Sequence, residues 1–276
     1  MNKFHYGVIA PKVDFRDFKI KPSSANSNIK SFSIDNLPKI KDQGNVSSCV
    51  AHALSSILEW FNFQELKEDR ELSVSFIYGM QGIEFNQMDK GMYLRDACKI
   101  VQKYGDCLKD TMPLNIEMPD CAAYVKNRLT DEIKHEASIC KINSYARCTN
   151  TDAIKHSLLN YSPILVSVDW HDKYLLDKDY CINFDLSSEA NRHAIIIYGF
   201  NEQGWLCQNS WGETWGNKGR FILPYKYKFN EAWAFVDSKN CDVYKPKRNA
   251  ILDLIYKLMN FIINLFNRNK RKVIKL

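Results

Sequence analysis

An α+β fold built as two lobes is what this sequence predicts, and three observations predict it. Up to about residue 137 the apolar positions recur with a helical period, whereas from about residue 163 they fall into short β-rich runs separated by glycine turns. A helix-first, strand-later order favours segregated layers over an alternating α/β sheet. The chain has 276 residues, 45% of them hydrophobic, enough to bury a core in one large domain or two tightly joined lobes, and it contains no repeat or low-complexity stretch.

Residues 1–31 read as an extended arm that ends in the polar run KPSSANSNIK, with Phe15 and Phe18 as its aromatic anchors. A helix is predicted from Cys49 to Leu66, capped by Ser47 or Ser48. Val50, Ala53, Leu54, Ile57, Leu58 and Phe61 fall on one wide apolar stripe of it. Further helices are predicted over 75–80, over 93–104 with Gly105 as the stop, over 122–137, and from Thr151, which serves as its cap. Strands follow at PILVSVDW from Pro163, HAIIIYGF from His193, GWLCQNSW from Gly204, GRFILPYKY from Gly219 and EAWAFVD from Glu231. The expected organisation is an arm at 1–31, a folded body at 32–244 and a separate tail at 245–276.

Charge is unevenly distributed. Nine of the 38 Lys/Arg and one of the 32 acids lie from Lys245 onward, which leaves residues 1–244 with a balance near −2. A near-neutral body is not a nucleic-acid-binding body, so an anionic partner is expected only at the tail. Nine cysteines with no Cys-x-x-Cys pair indicate neither a disulfide framework nor a structural metal site, and no cofactor is called for. The opening MNKFHYGVIAPKVDF lacks the apolar core of a secretory signal, and the sequon Asn45-Val46-Ser47 would place a glycan beside Cys49. Together these point to a reducing intracellular compartment.

The chemistry gathers around Cys49. A thiol is a nucleophile as thiolate, and a helix start favours negative charge, so the Cys49 pKa is expected to fall. Of the six histidines, His193 is the best base: it begins an apolar strand after the polar run SSEANR. His52, one turn after Cys49, lies along the flank of the helix and reads as structural. Asn209 can accept a hydrogen bond from the His193 ring, and Trp211 and Trp215 can shield that bond. Gln43 can offer its amide N–H toward Cys49, forming an oxyanion hole with the Cys49 backbone N–H.

The blocks QGNVSSCVAHA, RHAIIIYGF and QNSWGETWGNKGRF resemble, in order, the three active-site blocks of the papain-like cysteine peptidases. His193 lies 144 residues after Cys49 and Asn209 lies 160 after it, close to the family separation. The likeness covers about residues 34–237. It implies a helical N-terminal lobe, a β-barrel-like C-terminal lobe and an active site in the cleft between them. It also implies Cys49, His193 and Asn209 as the catalytic set, Gln43 as the oxyanion residue, Trp211 in support and a polypeptide as substrate. YGVIAPKVDFRDFKI and GMYLRDACKIVQKYGDC resemble an N-terminal arm and a cleft-wall segment of a bacterial and viral branch, in which Gly91 borders the substrate and Met92 narrows the site. The setting this suggests is cytoplasmic, membrane-associated or inside a virus particle.

The chain departs from the family at three places. Val46 stands where relatives have a disulfide cysteine, Val50 stands in place of an aromatic, and Arg192 brings a cation next to His193. A cation there is expected to disfavour the imidazolium. A weakened or inactive binding module and a thioester acyl transferase are therefore the rivals of a peptidase. The arm is expected either to lie across the active site and restrain it or only to staple the lobes. The tail helix over 250–276, apolar but for one polar stripe and followed by RNKRKVIK, suits an anionic membrane surface or a partner subunit.

Overall fold

The computed structural model describes residues 6–10, 14, 17–22, 29–67, 69–236 and 243–244. The predicted tail helix over 250–276 and the anchor Phe15 lie outside these residues.

Helix α1 (Cys49–Leu66) has the predicted limits and ends at Lys67 in the left-handed region, φ 57°. Its stripe is buried, Phe61 only in part, and so are Ser55, Ser56 and Glu59 on its polar flank. The reason is its central position: α2 (Val74–Phe85) and α3 (Leu94–Lys103) cover one side, and strand β7 (Ala190–Phe200) covers the other. The buried Glu59 carboxylate is satisfied by the Leu72 N–H at 2.7 Å and by Lys41 at 2.6 Å. Ser48 occupies the cap position, yet its side chain makes no cap bond.

Helix α2 is longer than the predicted 75–80, because Gly79 and Gly82 hide its period. They are packing positions. A Cβ on Gly79 would lie 2.7 Å from the Cys121 carbonyl oxygen, so only glycine lets α4 (Asp120–Arg128) come this close. The single helix expected over 122–137 is two, α4 and α5 (Asp131–Ile139), divided where Thr130 caps α5 through the Ile133 N–H. Helix α6 (Thr151–Asn160) is capped by Asn150 rather than by Thr151, with Asn150 Oδ1 accepting the Ala153 N–H at 2.8 Å.

The second lobe is one twisted sheet. Its elements are β3 (Ser144–Arg147), β4 (Ile164–His171), β7, β8 (Gly204–Gln208), β9 (Arg220–Pro224) and β10 (Phe229–Val236), in the order β3-β10-β4-β7-β8-β9. A small hairpin, β5 (Tyr174–Leu176) with β6 (Ile182–Phe184), lies apart. Antiparallel pairing of β4 with β7 sets Val168 opposite His193 and Asp169 opposite Arg192. Strand alternation then divides the core. Leu165, Ala194 and Ile196 pack with the helical lobe, whereas Val166, Val168, Ile195 and Ile197 fill the core of the sheet lobe. The two-lobe α+β architecture is as the sequence predicts.

The arm is woven into both lobes. Strand β1 (Lys19–Ile20) adds to β3 in parallel, and β2 (Phe32–Ser33) adds to β7. The Phe18 ring is exposed; its carbonyl is what anchors the chain, accepting the Arg147 N–H at 2.7 Å. Asp17 pairs with Arg95 of α3 and lies 3.9 Å from Arg147 of β3, so one carboxylate joins the lobes. Among the described residues no helix is long and apolar enough to cross a membrane.

Candidate active site

The structure brings the sequence-predicted residues to one place. Cys49, at the first position of α1, is fully buried. The backbone N–H groups of Ala194, Gly7, Val50 and Cys49 itself favour its thiolate, but burial outweighs them and pushes the pKa up to about 11. The expected lowering by the helix start is thus overruled by desolvation in this arrangement.

His193 lies on β7, immediately before Ala194. Its Nε2 meets Asn209 Oδ1 at 2.8 Å, while Nδ1 has no hydrogen-bond partner among the described residues. Asn209 is held in turn by the Ser210 N–H on its Oδ1 at 2.8 Å and by its own N–H to the Gly219 carbonyl at 2.9 Å. Burial lowers the His193 pKa to about 4, with the Asn209 bond opposing the shift. Thiol and imidazole are therefore both neutral near pH 7 while the site is covered.

Trp211 stacks on the His193 ring, centroids 4.8 Å apart at 23°, and Trp170 meets the same ring edge-on at 5.3 Å. Trp215 packs on Trp211 at 5.3 Å. The tryptophan shield is thus three rings deep. Trp170, from the strand next to β7, went unnoticed in the sequence because an aromatic on an apolar strand reads as core.

Gln43 is buried and oriented at both ends. Its Oε1 accepts the Ser210 hydroxyl at 2.6 Å, and its Nε2 donates to the Val46 carbonyl at 3.0 Å, inside the loop that leads to Cys49. Ser210 is a second residue that sequence reasoning missed, although it sits within the QNSWG block. His52 plays the structural part expected of it. Its Nδ1 lies 3.0 Å from the Ser48 carbonyl oxygen and 3.1 Å from the Ser48 hydroxyl, and burial lowers its pKa to about 4.

Two expectations for the cleft are corrected. Met92 does not narrow the site with its side chain, which is fully buried in the core of the helical lobe; it lines the cleft with its main chain. The Arg192 guanidinium lies 3.8 Å from Asp169, and burial, not a neighbouring cation, is what lowers His193. Arg192 and His193, as adjacent strand residues, leave β7 on opposite sides.

The arm enters this cleft. The Met92 N–H donates to the Gly7 carbonyl at 2.7 Å, the Ile9 N–H donates to the Met92 carbonyl at 2.9 Å, and the Val8 N–H reaches the Arg192 carbonyl at 3.4 Å. Tyr6 packs edge-on to His193 and Trp211, with its hydroxyl on Asp172 at 2.9 Å. Gly91 at φ 92° and Gly7 permit the close approach: a Cβ on Gly7 would lie 2.0 Å from the Ser47 carbonyl oxygen. Among the described residues every cysteine is free and no cluster of potential ligands could hold a metal ion.

A helical lobe packed on a twisted sheet, with Cys, His, Asn and Gln gathered where they meet, is the architecture of the papain family. Residues 25–243 match the papain family cysteine protease, and the chain belongs to that family. It is 27% identical over 267 residues to an uncharacterised peptidase C1-like protein of Acanthamoeba polyphaga mimivirus, covering 82% of this chain and 83% of the relative. Cathepsin K of Mus musculus is 26% identical over 192 residues, 67% of this chain and 55% of the relative. Among solved structures, xylellain, a cysteine protease from Xylella fastidiosa, superposes with a TM-score of 0.74 at 21% identity, covering 85% of this chain and 96% of that one. Digestive procathepsin L 3 of Tenebrio molitor gives a TM-score of 0.58 at 16% identity over 80% of this chain and 76% of that one. These structural likenesses speak for the fold.

Proposed function

We propose that the chain is a cysteine endopeptidase restrained by the arm segment 6–10. The observation that carries this reading is the pairing of His193 Nε2 with Asn209, which leaves Nδ1 as the ring nitrogen available to the thiol proton. Cys49 Sγ attacks the scissile carbonyl carbon as its proton passes to His193. Charge develops on the carbonyl oxygen, where the Gln43 amide and the Cys49 backbone N–H receive it. The imidazolium then protonates the leaving amine, the C–N bond breaks, and water hydrolyses the thioester with His193 as base. Asn209 holds the ring through each step.

On this reading the arm segment 6–10 lies in the cleft as an inhibitor. The Gly7 N–H faces the thiol, and the Gly7 carbonyl accepts the Met92 N–H. Among the described residues of the arm, Tyr6 to Ile9 meet the site, whereas Asp17, β1 and β2 pack on the body. Activation on this reading releases the segment 6–10 from the cleft while Asp17, β1 and β2 stay in place.

A single substitution tests this in the full chain. The side chain of Gly7→Val collides with the Ser47 carbonyl, so the arm leaves the cleft. Turnover of a fluorogenic peptide is expected to rise at least about tenfold, the gain from losing roughly 1.4 kcal/mol of self-binding. Turnover equal to that of the parent chain would remove the restraint from the account. No turnover and no Cys49 labelling in either chain would remove the peptidase.

A further inference from the structure

We propose that Glu117 is a positioning residue for the peptidase reaction, joining the loop that carries the oxyanion residue to the cleft wall that holds the peptide backbone. The inference rests on the peptidase reading above.

The half-buried Glu117 carboxylate has two ends with two different tasks. Oε2 accepts the backbone N–H of Ser47 at 3.0 Å, two residues before Cys49. Oε1 accepts the Tyr78 hydroxyl at 2.5 Å, and that hydroxyl accepts the Gly91 N–H at 3.1 Å. Gln81 holds the other side of the same glycine, its Nε2 donating to the Gly91 carbonyl at 2.7 Å. The Met118 N–H at 3.3 Å and Lys90 Nζ at 4.0 Å complete the surroundings of the carboxylate. Burial opposes its charge, but the donors from Tyr78, Ser47 and Met118 hold the pKa below the usual carboxylate value.

The neighbouring Asn115 grips the same loop twice. Its Nδ2 donates to the Gln43 carbonyl at 3.2 Å, and its Oδ1 accepts the Ser48 hydroxyl at 3.1 Å. The segment Asn115–Glu117 thus fixes Gln43, Ser47 and Ser48 from one side, and through Tyr78 it fixes Gly91. Since every described cysteine is free, including those of this lobe, no covalent link among the described residues does this work. Met92, directly after Gly91, is where the arm hydrogen-bonds in the cleft, so the second branch of the relay acts on whichever peptide occupies that strand position.

The two branches predict different kinetics. Tyr78→Phe cuts only the Gly91 branch and is expected to raise KM about tenfold, with kcat within about twofold. Glu117→Ala cuts both, so it should show the same rise in KM and in addition lower kcat about tenfold. Glu117→Gln keeps one carbonyl acceptor and is expected to fall between the parent and Glu117→Ala. The comparison is made in the full chain carrying Gly7→Val, or in the parent chain should that substitution not raise turnover, with active sites counted by an irreversible thiol inactivator. Variants that lose active sites or thermal stability but keep the parent kcat and KM per site would overturn the positioning role. A uniform loss of kcat in Tyr78→Phe, with KM unmoved, would overturn the division of labour. Absence of turnover and labelling in every chain would take the peptidase reading down, and this inference with it, and is distinguishable from both.

Discussion

Ser210 shows how much of this site depends on residues that do no chemistry. Its hydroxyl fixes Gln43 Oε1 at 2.6 Å, and its backbone N–H fixes Asn209 Oδ1, so one residue orients both the oxyanion amide and the partner of the histidine. Ser210→Ala leaves the Gln43 oxygen buried without that donor, a cost of about 1–2 kcal/mol. We expect kcat/KM to fall about tenfold with KM little changed, because the lost orientation matters most when charge develops on the substrate oxygen. At this scale the proposed catalytic set could be picked from the sequence, since Cys49, His193, Asn209 and Gln43 each sit in a block of fixed spacing. Their supports were not. Ser210, Glu117 and Tyr78 act through contacts between segments distant in the chain, and no local pattern marks a glutamate whose partner is 70 residues away.

At the scale of elements, the arm combines the two parts the sequence left as alternatives, lying at the cleft and tying the lobes together. Phe18 suggests an anchor, but its ring is exposed, and the neighbouring Asp17 carboxylate and main-chain pairing hold the chain there. Asp17 faces Arg95 and Arg147, whose guanidinium groups lie over the Trp233 ring at 5.8 and 6.0 Å. Removing that acid from between two largely buried cations is expected to cost about 3 kcal/mol. Asp17→Ala should therefore lower the unfolding free energy by that amount in a urea titration, and a chain beginning near Ser31 should be less stable still. An unchanged midpoint for Asp17→Ala would mean that the lobes need no such joint. Helix boundaries were missed where glycine or threonine plays a part that periodicity cannot express. Gly79 permits contact with α4, and Thr130 divides one apolar period into two capped helices. The short strands β1, β2 and β3 carry too few residues for an alternation to show.

For the whole molecule, burial sets the resting chemistry. With the arm seated, the thiol is pushed up to about 11 and the imidazole down to about 4, so neither group is charged at neutral pH. The sign follows for reactivity: in the covered state thiolate appears only as pH rises toward 11, and the imidazolium only as pH falls toward 4. Admitting water and substrate removes the desolvation that sets both values, so uncovering the cleft moves the two groups toward an ion pair. The two-lobe plan was legible because helical and strand periods occupy separate halves of the chain. The cover stood only as one of two alternatives for the arm, because a loop in a cleft leaves no periodic trace. The tail over 250–276 stands as a sequence-based proposal: removing residues 248–276 should leave peptide turnover intact while abolishing binding to phosphatidylserine vesicles. Loss of solubility in that truncated chain would instead mark the tail as part of the folded body.

The central claim is a competent Cys49 held neutral beneath the arm, and the most direct measurement is its alkylation rate against pH. Full-length protein and Gly7→Val would be treated with an epoxysuccinyl thiol inactivator between pH 4 and 10, with the adduct located by peptide mapping and Cys49→Ala as the control. The account predicts slow labelling of the parent chain that climbs only at alkaline pH. For Gly7→Val it predicts fast labelling of Cys49 across neutral pH, which is lost on adding His193→Ala. Equal rates and the same alkaline profile in both chains, with no dependence on His193, would contradict it.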